Sequence, residues 1–367
     1  LRYGQYCPRN YELIYTKGNH FRWFPFVHKT LTGRRGWVLK GIALGVLASF
    51  FFAFTFVLNR AMDLSGGSWV WSSVLRYLFM VPPLLIIVYF RGNLKELLRE
   101  LWTSPWTWLG WSTIGFGLFY APLCFAAASG PAWLVASTWQ ITIVAGSLLV
   151  PFLTTVKQTE NGLQKIRSPI PVKGLLISML ILVGVALIQM QQAQGFSSKD
   201  ILLGTLPVIV AAFAYPLGNR KMMAACGQRF DTYQRVLGMT ISSIPFWLIL
   251  ALFGFLKDGA PSATQVTQTV IVAICSGVIA TVLFFTATDL SKGDLHKLAA
   301  VEATQAGEVI FALLGELFFL HGEYPTAWSV VGIILVIVGM TMHSFVSQDT
   351  GEKKISLRNV IKVSKFF

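Results

Sequence analysis

The sequence predicts an all-α integral membrane protein of ten transmembrane helices, arranged as two inverted five-helix repeats. Three observations carry that prediction. Of 367 residues, 54% are hydrophobic and only 13% charged, with a mean hydropathy of +0.61, whereas a soluble domain carries about 25% charged residues. Ten apolar runs have the length of a membrane-crossing helix. Short motifs in the first half return in order in the second.

Taken in order, residues 1–36 are basic and aromatic with no sustained period, and the first Met is Met62. Two readings stand: translation starts near Val38 or Leu39 and the preceding stretch is an artefact of gene delimitation, or the stretch is a basic cytoplasmic arm. The apolar runs follow at 38–58, 69–90, 106–128, 132–153, 174–190, 201–217, 232–256, 269–288, 298–320 and 327–345. Each has about 17 to 25 residues, and only helices or closed barrels satisfy the backbone in lipid. The first is no cleaved signal peptide, because its apolar core is too long and Asn59-Arg60 follows it. A basic tail closes the chain at 347–367.

Net charge is +14, and its placement is informative. With the amino terminus inside, 25 of the 30 Lys and Arg fall in segments facing the cytoplasm; Arg60, Lys199 and Lys257 face outward, and Arg76 and Arg235 lie within helices. The charge is therefore a topology signal placing both termini in the cytoplasm, not a nucleic-acid footprint. Trp69 and Trp71 at one interface, and Trp102, Trp106 and Trp108 at the other, are placed as aromatic belts. Leu94 to Leu101, LKELLREL, is amphipathic and suits either the inner membrane surface or a solvated helix end. Cys7, Cys124, Cys226 and Cys275 have no metal-ligand spacing, so no metal and no cofactor is expected.

The repeat rests on three echoes. Asn59-Arg60-x-Met62 returns as Asn219-Arg220-x-Met222, Arg76-x-x-x-Met80 as Arg235-x-x-x-Met239, and the glycine of Leu182-Val183-Gly184 as that of Ile337-Val338-Gly339. They divide the chain into halves at 37–192 and 198–346. Five is odd, so the second half enters from the opposite side, an inverted repeat of the kind alternating-access transporters use. In the first helix, Gly41, Gly45, Ser49 and Ala53 put a small residue at every fourth position, a close-packing face.

Leu313-Leu314-Gly315-Glu316 in the ninth segment, with Pro325-Thr326, Gly332 and Gly339 around the tenth, resembles the drug/metabolite transporter superfamily. Gly41 to Met62 followed by Asp63-Leu64-Ser65-Gly66-Gly67-Ser68-Trp69 is similar to its multidrug-resistance efflux branch. The resemblance covers about 38–346. It implies a secondary exporter in a bacterial plasma membrane, driven by an ion gradient, with drugs or metabolites such as amino acids as cargo. One departure is plain: the small four-helix pumps of the superfamily couple protons through a glutamate in their first helix, and neither 40–59 nor 201–217 holds an acid.

The acids lie in the ninth segment instead. At 100° per residue from Glu302, Gln305 falls near 300°, Glu308 near 240° and Glu316 near 320°, one arc of about 120°. Ionisable groups at membrane depth have to face a partner or a water-filled cavity, so the face predicts a polar site. Glu302 is a candidate for the inner gate, Glu308, nearest the midplane, for the proton- or cation-binding acid, and Gln305 for a solute contact. Glu316 suits a helix-terminus hydrogen bond as well as a transport role. Arg76, within the second segment, needs a partner or a water-filled cavity, a ninth-segment glutamate being one candidate as a structural or gating bridge, and Arg235 is expected to snorkel. Trp133, Trp139, Phe119 and Tyr120 could line the cavity and hold a lipophilic cation, while Pro122, Pro207, Pro216 and Pro245 suggest broken helices. The expected partners are a small solute, a proton or sodium gradient and the bilayer, with the protein a monomer or homodimer. A membrane-embedded enzyme is disfavoured, since the five His are scattered and neither His-Glu-x-x-His nor Gly-x-Ser-x-Gly occurs.

Overall fold

A computed structural model describes residues 34–342 except 129, 153, 160–161, 168–171, 193–197, 228, 292–294 and 323. Most of the expected amino-terminal arm, the tail at 347–367, Cys7 and Asp294 lie outside the described residues. Within the described residues, every apolar run contains at least one helix. These are α1 (Arg34–Leu64) and α2 (Trp69–Phe90), then the short α3 (Leu94–Thr103). A π turn (Thr113–Gly117) joins α4 (Pro105–Ser112) to α5 (Leu118–Ala127), and α6 (Ala132–Trp139) runs on into α7 (Ile141–Leu148). The single helices α8 (Val172–Gln192), α9 (Ser198–Cys226) and α10 (Thr232–Asp258) come next. A second π turn (Ala273–Ala280) joins α11 (Ala263–Val272) to α12 (Thr281–Leu290), and a 3-10 turn (Thr304–Ala306) joins α13 (Leu295–Ala303) to α14 (Gly307–Phe319). Last is α15 (Ala327–Met342).

Among the described residues five rods, Leu39–Leu64, Trp69–Phe90, Pro105–Ala127, Thr232–Asp258 and Ala263–Leu290, are long and apolar enough to cross a membrane, and Ala132–Leu148, Val172–Ile188 and Ala327–Met342 are shorter apolar helices. Leu248, Ile249, Leu252, Phe253 and Leu256 form an exposed stripe on α10 that suits hydrocarbon and would be a liability in water.

One element differs in kind from the loop expected after the fourth run. The chain forms an antiparallel hairpin there, β1 (Thr154–Thr159) and β2 (Gly162–Arg167), with Val156 opposite Lys165. Its Thr and Val favour strands, a signal that charge counting passes over.

Helix ends follow local chemistry rather than hydropathy. The Ser68 hydroxyl accepts from Val70 N to start α2, and Asp231 with Gln234 forms a capping box on α10. α1 and α9 run past their apolar stretches until Gly66 (φ 80) and Gly227 (φ 60) break them. Asn59, Arg60, Asn219 and Arg220, expected to end helices, are therefore inside them, and all but Arg60 are buried.

Close packing places the helices. α1 lies against α12 and α14, α2 against α10, α5 against α9, and α6 against both α9 and α14. The small-residue face of α1 is a packing face: Gly45 abuts Thr304, a Cβ on Gly307 would stand 2.8 Å from Ser49 Oγ, and one on Gly315 2.6 Å from Val57. Trp108, expected in a belt, is 3% exposed and packs on Gly238 and Phe230, while Trp102 and Trp106 stay exposed. The amphipathic α3 is anchored through buried Leu97 and a forked Glu100–Arg229 pair at 2.9 and 3.0 Å.

Gly115 and Gly218 meet backbone to backbone, and a Cβ on Gly218 would overlap Gly115 and stand 2.9 Å from Trp111 O. We expect Gly218→Ala to lower stability by about 1 to 3 kcal/mol through overpacking of two helix backbones, read as a lower unfolding temperature of the purified protein in detergent. An unchanged unfolding temperature would rule out this contact.

Candidate functional site

Irregular backbone at membrane depth persists where it lines a cavity, and the turns here do so. The second π turn carries Ser276 and the 3-10 turn carries Gln305. Both side chains, with Thr55 of α1 and Glu308 of α14, form the polar part of one small cavity. Its apolar wall is Phe52, Phe56, Phe119, Leu123, Trp139 and Tyr215. The interior has room for about one water molecule, so a larger solute enters only after helices part.

Glu308 is 1% exposed, and its Oε1 has no hydrogen-bond partner among the described residues. Ser276 and Thr55 hydrogen-bond each other through their hydroxyls. Arg76, 2% exposed on α2, donates from Nη2 to Ser276 Oγ at 3.1 Å and lies over the Tyr120 ring, 3.9 Å from guanidinium carbon to centroid. Among the described residues, Arg76 forms no ion pair with a ninth-segment glutamate, one of the partners considered for it. The register of α2 against the second π turn brings it a serine instead, and its Nε and Nη1 have no hydrogen-bond partner among the described residues.

The remaining acids of the ninth segment leave the cavity. The 3-10 turn breaks the regular 100° step, and on its amino-terminal side Glu302 meets Arg220 of α9. Arg220 Nε donates to Glu302 Oε1 at 3.0 Å, its Nη2 reaches Oε2, and its Nη1 reaches the Gly146 carbonyl. Gly146 makes the room, since a Cβ there would stand 2.7 Å from Glu302 Oε2. Glu316, at the other end, accepts from Trp133 N at 3.3 Å and so caps the first turn of α6. Arg235 does not snorkel. It is 1% exposed, donates to Asp289 Oδ1 at 2.7 Å, and lies 4.7 Å from the Phe285 centroid.

Of the aromatics expected to line the cavity, Trp139 and Phe119 do. Tyr120 lies beneath Arg76, where it accepts from Asn59 Nδ2 at 3.2 Å. Trp133 packs with Ile143, Ile181 and Val309 in a separate cluster. Sequence reasoning missed Thr55, Ser276 and Tyr215 in the wall and Arg220 as the partner of Glu302. For Arg220 a signal existed, its place in the repeated Asn-Arg-x-Met; for the others none did, as single hydroxyls in apolar runs are common.

Residues 39–349 match the family described as "Putative multidrug resistance efflux transporter" (EmrE). The chain belongs to that family. It is also similar to the uncharacterized protein YjlA of Bacillus subtilis (strain 168), 56% identical over 322 residues, 88% of this chain and 99% of that one. A protein of Shouchella clausii, "Uncharacterized 42.1 kDa protein in intracellular alkaline protease 3'region", is 49% identical over 274 residues, 75% of this chain and 71% of that one. A solved crystal structure superposes with a TM-score of 0.60 at 13% identity over 84% of this chain and 98% of the other, a likeness of fold alone. Family membership and the apolar helices make this a membrane-embedded protein of a small-solute transporter family.

The Arg220–Glu302 pair yields a stability prediction. Both side chains are below 10% exposed, and removing one partner of a buried pair leaves an uncompensated charge, at about 3 to 5 kcal/mol. Arg220→Gln should lower the unfolding temperature strongly, and Arg220→Gln with Glu302→Gln should recover part of the loss. Strictly additive effects in that double-mutant cycle would show that the two do not interact.

Proposed function

We propose that the protein is a secondary active exporter of small organic solutes in a bacterial plasma membrane, working by alternating access around the Glu308 cavity and driven by an ion gradient. The observation that carries this reading is Glu308 itself, a buried carboxyl on the wall of a small polar cavity with an oxygen that has no partner among the described residues. A carboxyl so placed can hold a proton in one state and give it up to solvent in another, while structural acids such as Glu302 and Glu316 are already engaged. Ser276 lines the same cavity, and Arg76 donates to its hydroxyl from behind the wall.

Ten transmembrane helices in two inverted halves, 37–192 and 198–346, with both termini cytoplasmic, complete the reading. The two π turns start at Thr113 and Ala273, 160 residues apart like Asn59 and Asn219. The packing is also reciprocal: α1 lies on α12 as α9 lies on α5, and α1 lies on α14 as α9 lies on α6 and α7. Such exchange is what a two-fold repeat with a central site predicts. Within it, the Arg220–Glu302 pair with the Gly146 carbonyl is the closed gate on the cytoplasmic side.

The test is transport in proteoliposomes under an imposed pH or sodium gradient, following a panel of labelled lipophilic cations, carboxylates and amino acids. We expect wild type to move at least one solute against its gradient and Glu308→Gln to abolish the gradient dependence. Uphill transport that persists undiminished in Glu308→Gln would remove Glu308 as the coupling acid, and a panel in which nothing moves would remove the exporter reading.

A further inference from the structure

The polar wall of the cavity carries an imbalance of charge. Among the three deeply buried arginines, Arg220 and Arg235 each have a carboxylate. Arg76 has none within ion-pair distance among the described residues; its neighbours include one serine hydroxyl, the Tyr77 side chain and the face of Tyr120, with the ring centroids of Tyr120 and Tyr77 at 3.9 and 5.1 Å. Contact with aromatic faces is weaker than the loss of hydration it offsets. A guanidinium keeps its charge at every physiological pH, whereas Glu308 can be discharged by a proton. With Glu308 protonated, the cavity therefore has one permanent positive charge beside it and two N–H groups, Nε and Nη1, without acceptors.

We propose that this cavity recognises its solute through a carboxylate: Arg76 and the Ser276 hydroxyl take the anionic head, and the aromatic wall takes an apolar body. The inference deepens the exporter reading and rests on it for the cavity being a solute site. Arg76 stands one hydrogen bond behind the wall, and Ser276 and Thr55 are both on it, so a carboxylate entering as the helices part meets hydroxyl donors first and the guanidinium behind them. Planar, forked recognition of a carboxylate is what a guanidinium does and an ammonium does not. Phe52, Phe56, Phe119 and Trp139 accept a phenyl or branched aliphatic body. A bare lipophilic cation would instead bring a second positive charge toward Arg76. An amphoteric solute fits as well, its ammonium falling to Glu308 in place of a proton, so the class includes apolar and aromatic α-amino acids.

The experiment compares three labelled ligands with one body and different heads, 3-phenylpropionate, L-phenylalanine and 2-phenylethylammonium, in equilibrium binding to the full chain in lipid nanodiscs. Wild type should bind the first two at least tenfold more tightly than the third, a comparison that needs no variant. Arg76→Gln should abolish the preference and Arg76→Lys should keep part of it, each checked for monodisperse elution. Equal or tighter binding of 2-phenylethylammonium, undiminished carboxylate affinity in Arg76→Gln, or binding of none of the three overturns the inference. Carboxylate binding without gradient-driven flux of the same ligands would overturn the exporter reading and leave the carboxylate site standing, while gradient-driven flux of 2-phenylethylammonium alone would do the reverse.

Discussion

A charge inside a low-dielectric interior has to be answered by another charge, by hydrogen bonds or by water, and the arrangement of this protein follows from how each one is answered. Arg220 answers Glu302 and joins α9 to α13; Arg235 answers Asp289 and joins α10 to α12. Glu316 is answered by the first turn of α6, which ties α14 to that helix end. These three contacts hold the helices that enclose the cavity. Around the cavity, Arg76, Glu308 and the Tyr215 hydroxyl keep polar atoms unanswered among the described residues; Glu308 and Tyr215 line the space, and Arg76 reaches it through Ser276.

The second constraint is steric. Glycine lets backbones approach where polar side chains must pass or helices must cross closely, as at Gly146 beside the Arg220 guanidinium and at Gly115 against Gly218. Along α1, the contacts with Thr304, Gly307 and Gly315 hold that helix against both sides of the 3-10 turn. The turn in turn delivers Gln305 to the cavity while sending Glu302 toward Arg220. Small residues on one helix thus determine where the irregular backbone of another can stand. A cavity with room for about one water then means that solute access is a matter of helix movement, since tightly packed interfaces of this kind repack between discrete arrangements rather than stretching.

Much of the fold was legible because hydrocarbon imposes a length and a polarity on every crossing segment. Each apolar run contains a helix, and α3 follows the amphipathic pattern of LKELLREL. What hydropathy missed is where a helix continues without apolar residues. Asn59 and Asn219 are polar, so the runs stop there, yet helical propensity carries α1 to Leu64 and α9 to Cys226, and this is how Arg220 comes to be buried. In the site, a single angular step for the ninth segment grouped Glu302, Gln305, Glu308 and Glu316 on one arc. A 3-10 turn in the middle of the segment divides them, with Gln305 and Glu308 on the cavity and the outer two acids engaged by other helices.

By itself the sequence determined that the chain lives in a membrane, which segments are helical, and that polar groups placed at depth in the ninth segment and at Arg76 have to serve a purpose, because composition and period are local properties that the solvent reads directly. Only the tertiary structure decided which charge meets which: that Glu302 belongs to Arg220, that Arg76 meets a serine and a tyrosine rather than a glutamate, and that Ser276, Thr55 and Tyr215 share a wall with Glu308. Those pairings depend on register and rotation between helices far apart in the chain, and neither is set until glycine contacts and irregular turns lock the helices together.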